Sequence, residues 1–121
     1  MIENRTEKIE ALKVAQEYCK RLEKGMTTLI AELRGGRLPD TSEYLDTVIK
    51  GLNWVIEVYN ATRDVINENE NMIDKDAVNE ETVRLNMALK QNDDAAIAGI
   101  MESGIIPFVK NLQKAIEQID S

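Results

Sequence analysis

The chain contains no histidine, a single cysteine, two prolines and only 4% aromatic residues. Without histidine it lacks the commonest general base, the commonest metal ligand and most schemes for activating a nucleophile. The Glu-x-x-His pairs that hold metals inside helical bundles are excluded with it. A lone cysteine forms no disulfide within its own chain, so Cys19 fits a reducing compartment. Two prolines and six glycines leave little punctuation for many short strands. With aromatics scarce, the core has to come from Leu, Ile, Val, Ala and Met, a mixture that suits helices packed together. No apolar run approaches the ~20 residues of a membrane span. The start, Met1 to Lys8, is charged and has no signal-peptide core. No phosphate-binding Walker loop or dinucleotide fingerprint is present. These features predict a cytoplasmic protein with no catalytic, metal or cofactor site.

What is present is an ordinary apolar content of 43% with 31% charged residues over 121 positions, enough for one folded domain over 1–121. The net charge of −7 and pI near 4.7 disfavour nucleic acid and anionic membranes as partners, because both repel an acidic surface. The acidity is uneven. Residues 1–34 carry seven Lys/Arg against six Asp/Glu, whereas residues 35–121 carry eight against sixteen.

Asn4, with Glu7 three residues on, marks a helix start. Leu12, Ala15, Cys19, Leu22, Met26, Leu29 and Leu33 then alternate spacings of three and four, the seam of a bundle helix. Cys19 lies on that seam and reads as a small core residue. Gly35 or Gly36 closes the helix and Pro39 forbids its continuation. The two arginines around those glycines, Arg34 and Arg37, also make a weak candidate for anion binding. Asp40, three before Glu43, is a capping box for a second helix reaching to about Glu70.

That second helix is the one around which the rest of the chain is expected to be organised, because it is apolar on more than one side. One line carries Leu45, Val48, Ile49, Leu52, Val55, Ile56, Tyr59 and Ile66; another carries Trp54, Val58, Ala61 and Val65. The polar line holds Asp46, Lys50, Asn53, Glu57, Asn60, Asp64 and Asn67. Asn-rich residues 67–71 break the chain. The acidic stretch from Asp64 to Glu81 fails the calcium-loop template, because Val78 and Asn79 stand where Asp/Asn and Gly are needed. A shorter third helix starts near Asp76 or Asn79 and ends near Gln91. Asn92, Asp93 and Asp94 cap a last helix, with Pro107 inside it predicting a kink or split.

The expected fold is therefore all-α, an antiparallel four-helix bundle (long, long, short, long) with the second helix central and the last split near Pro107. Size, acidity and helical pattern resemble small bacterial secretion and flagellar export chaperones, without a shared motif. The resemblance implies a protein that sequesters a helical segment of a client. The expected function is non-enzymatic protein binding, either to a second copy or to a client, through Trp54, Val58, Ala61 and Val65. The alternative is a small enzyme or ligand-binding bundle using Asp46, Glu57 and Asp64 on the polar line.

Overall fold

The computed structural model describes residues 4–68 and 73–119. Its helices are α1 (Arg5–Gly35), α2 (Thr41–Ala61), the single turn α3 (Arg63–Ile66), α4 (Lys75–Lys90), α5 (Asp94–Ile100), a π-helical turn (Met101–Ile105) and α6 (Ile106–Glu117). The fold is all-α, four main helices packed together with the last one split. No strand occurs among the described residues.

α1 starts where its cap predicts. The Asn4 side chain accepts a hydrogen bond from the Glu7 amide at 2.8 Å and donates to the Glu7 carboxylate at 2.7 Å. Every residue of the three–four seam is buried, from Leu12 to Leu33. Gly36 closes the helix with φ +102°, a conformation that glycine alone adopts without steric cost. The expected Asp40 capping bond does not form. Thr41 takes its place: its hydroxyl accepts from the Leu38 amide at 2.8 Å and donates to Glu32 at 2.6 Å, with the side chain fully buried.

The second helix is shorter than its pattern suggests. It stops at Ala61 because the Thr62 hydroxyl donates back to the Val58 carbonyl at 2.6 Å while the Thr62 amide turns onto Tyr59. Such back-bonding competes with the helix and bends it. The chain resumes for one turn as α3, whose Val65 and Ile66 are buried. The Asn-rich break lies largely outside the described residues.

The centre of the bundle also differs from the expectation that the second helix is central. α1, not α2, is the hub: it runs antiparallel to α2 on one side and to the α5–α6 helix on the other. α2 packs chiefly on α1, and α4 on the α5–α6 helix. Two apolar lines made α2 look central, but a flanking helix that buries Val58 as well as Val55 shows the same pattern.

The split near Pro107 takes a defined form. Proline gives Ser103 no amide to accept from, and its ring crowds that carbonyl. The chain widens into the π turn, in which the Ile106 amide donates to the Met101 carbonyl five residues back. Taken as one helix, Asp94–Glu117 spans 24 residues and is long and apolar enough, by composition, to cross a membrane. Glu102 and Lys110 interrupt the stretch, so it contains no unbroken apolar run of that length. Within it 39% of the most apolar window is buried, Ile97, Met101, Ile105, Val109 and Leu112 among the residues that face the bundle core.

Tyr59 is fully buried and meets Phe108 of α6 edge to face at 5.4 Å between ring centres. Burial pushes its phenol above the ordinary value, and its hydroxyl has no hydrogen-bond partner among the described residues. A buried hydroxyl without a partner costs stability. Tyr59→Phe is therefore expected to stabilise the fold by ~1 kcal/mol in urea unfolding; a loss of stability would show that the hydroxyl is satisfied.

Candidate functional site

The α1–α2 crossing builds the most distinctive surface. Gly51 leaves room for the Tyr18 ring, since a Cβ at 51 would overlap its hydroxyl end; at Gly25 a Cβ would come only into tight contact, 3.0 Å from the Tyr44 hydroxyl. Seated over Gly51, Tyr18 presents its ring to Trp54 edge to face, 5.7 Å between centres and 90° between planes. Such pairs contribute ~0.5–1.5 kcal/mol beyond the area they bury. Trp54 nevertheless remains 37% exposed, and Val14, on the neighbouring turn of α1, is 60% exposed.

Of the residues predicted from the sequence as one contact strip, the structure keeps Trp54 and Ala61 at the surface and buries Val58 and Val65. The strip is not a continuous free face. α2 ends at Ala61, so Val65 lies beyond the break and turns inward. Tyr18 is the neighbour the structure gives Trp54, with exposed Val14 one turn before Tyr18 on α1. Neither was singled out from the sequence, although Val14 stands off the apolar seam of its helix and was visible there.

The polar line of α2 does not converge. Lys50 holds Asp46 at 3.0 Å, and Lys8 from α1 holds Asp64 at 2.8 Å. The Lys8 hydrogen bond keeps the Asp64 carboxyl below its usual range, the opposite of what a general acid near neutral pH needs. Glu57 stands eleven residues from Asp46, roughly 16 Å along the axis. Among the described residues no group of three His, Cys, Asp or Glu is placed to hold a metal. Cys19 is buried, and desolvation, with Glu23 nearby, pushes its thiol up to about 12, which leaves it protonated and unreactive.

The arginines flanking the glycines are engaged within the bundle. Arg34 grips Glu102 at 2.9 and 3.1 Å. Arg37 grips Asp94 at 2.7 Å and also donates to Ser42 at 2.7 Å. They tie the α1–α2 connection to the last helix instead of presenting an anion site. Beside Arg37, an open cleft of about 370 Å³ separates the start of α2 from the α4–α5 turn, with Leu45, Ile49 and Ile97 in its wall. A second exposed apolar pair, Val83 and Met87, lies on the outer side of α4.

Fold and surface together define a small helical bundle with an aromatic face across its first hairpin. Residues 10–115 match the family described as a domain of unknown function (DUF8042), and the chain belongs to that family. Val14, Tyr18, Gly51 and Trp54 all fall inside the matched region. No curated protein and no solved structure matches the chain.

Proposed function

We propose that the protein is a non-enzymatic protein-interaction module, and that its contact face lies across α1 and α2 with Trp54 as anchor. The observation that carries this reading is the exposure of the chain's only tryptophan on a seat that fixes its orientation. A large ring already held in place loses little freedom on association, and tryptophan is enriched among the residues that dominate binding. Val14 extends the apolar surface on one side and Ala61 on the other, while Val58 and Val65 are buried and form no part of the face. Holding a helical segment of a client, as export chaperones do, and pairing with a second copy are both forms of this activity.

The test is a photo-crosslinking residue in place of exposed Val14, activated in cells. The expected result is a covalent adduct with a protein, lost when Trp54→Asp is added to the same chain. Trp54→Asp should remain helical by circular dichroism, because the side chain is only partly buried. No adduct, or an adduct indifferent to Trp54→Asp, would remove the assignment.

A further inference from the structure

We propose that the Val14–Tyr18–Trp54 face docks a second copy of this chain, antiparallel and two-fold symmetric. Each Lys50 would then face the partner's Glu57, and each Arg21 the partner's Glu10. The inference rests on the reading of this face as a protein-binding surface.

The charges along the face run in a self-complementary order. On α2, Lys50 precedes Trp54 by one turn and Glu57 follows it by one turn, both within ~60° of it and on the same side. On α1, Glu10 and Arg21 flank Val14, within ~40° of it, also on one side. The helices are antiparallel, with Tyr18 across from Gly51 and Gly25 across from Tyr44. Arg21 therefore lies at the Lys50 end and Glu10 at the Glu57 end. The face has a basic end and an acidic end, and between them Val14 and Trp54 stand beside Glu17, ~60° from Val14 and paired with Lys20 at 3.4 Å. All these charged residues are exposed, and Glu10, Arg21 and Glu57 make no ion pair among the described residues.

A two-fold axis lying in the interface and crossing both helices at the level of Trp54 exchanges the two ends. Basic then meets acidic twice, and Trp54 meets Trp54 near the axis. An axis parallel to the helices would instead bring Lys50 toward Arg21 and Glu57 toward Glu10, like against like. The antiparallel arrangement is the self-complementary one. The charges left over do not oppose it. Glu17 is already paired with Lys20 at 3.4 Å. Glu43, ~16 Å from Trp54 along α2, falls opposite the Lys8–Asp64 pair of the second copy. The Lys50–Asp46 pair is solvent-exposed on both sides, so exchanging it for the partner's Glu57 costs little.

Trp54 reports directly on this contact, because no other tryptophan contributes to the emission. Light scattering and Trp emission are measured together from micromolar to millimolar protein. The expected result is a mass that doubles as the emission moves to shorter wavelength. Lys50→Glu should raise the dissociation constant about tenfold, since symmetry breaks the contact twice and puts like charges together. Adding Glu57→Lys to the same chain should return it to within about threefold of the parent, because the pair is re-formed with reversed sign. If either variant loses helicity, Arg21→Glu with Glu10→Arg puts the same question to α1. A parent chain that stays monomeric, or a dimer that ignores both swaps, would overturn the proposal. A monomer that still gives the Trp54-dependent adduct in cells would overturn self-docking alone and leave the interaction-module reading standing.

Discussion

Leu22→Ala in the middle of α1 is expected to lower the free energy of unfolding by ~3–5 kcal/mol, and Leu52→Ala in α2 by only ~2–3 kcal/mol. The atoms removed are the same, and both side chains are buried, 3% and 1% exposed. What differs is the wall of the hole. α1 is held between α2 on one side and the α5–α6 helix on the other, so a void at Leu22 cannot close without moving two partners. α2 leans chiefly on α1 and borders the open cleft near its start, so it can settle into a void. The cost of a large-to-small change depends on how well the site collapses. Urea unfolding of both variants, with unchanged dependence on denaturant, measures the difference. If Leu52→Ala costs as much as Leu22→Ala, α1 is not the hub.

That hub shows where the sequence is legible and where it stops being so. The seam from Leu12 to Leu33, the Asn4 cap and the split before Pro107 are all local. Each depends on residues within a turn or two, and periodicity or proline sterics reveals them. The stop at Ala61 is also local, but a single hydroxyl decides it. Thr62 in an apolar stretch reads as a tolerated helix residue until its bond to the Val58 carbonyl is seen. Long-range pairings are another matter. That Gly51 exists to seat Tyr18, or that Arg37 closes on Asp94, depends on which helix faces which. Periodicity shows that a helix has a buried side but not the identity of its neighbour.

The same limit explains why only Trp54 and Ala61 of the strip lie at the surface. Trp54 stands out by its chemistry, as the tryptophan of an apolar line and a residue type enriched where binding energy concentrates. Val58 and Val65 were grouped with it by angle alone, and angle does not say how far α1 covers that side. Tyr18 and Val14 complete the face from another helix, so no reading confined to α2 could include them.

The interhelical ion pairs carry the second large effect, which is the response to acid. Glu102, Asp94, Asp64 and Glu68 are each held below the usual carboxylate range, first of all by hydrogen bonds from Arg34, Arg37, Lys8 and Arg5 respectively. Every one of these pairs joins α1 or the turn after it to a distant part of the chain. A carboxyl depressed in the folded state takes up a proton more readily when unfolded. Its stabilisation is therefore complete above the unfolded value near ~4 and is lost as pH falls through the lower folded value. Between neutrality and about pH 5 little should change, because titration there only relieves the acidic surplus. Below about pH 4 the pairs are lost while the lysines and arginines begin to repel, and both effects favour unfolding. Each pair is exposed and individually weak, so the acid limb reflects their sum. The melting temperature is expected to hold from pH 7 to about 5 and to fall steeply from about 4 downward. An Arg34→Gln, Arg37→Gln variant should start lower at neutral pH and fall less steeply, since Glu102 and Asp94 would then titrate alike folded and unfolded. Parallel curves for parent and variant would show that these pairs do not anchor the last helix to α1.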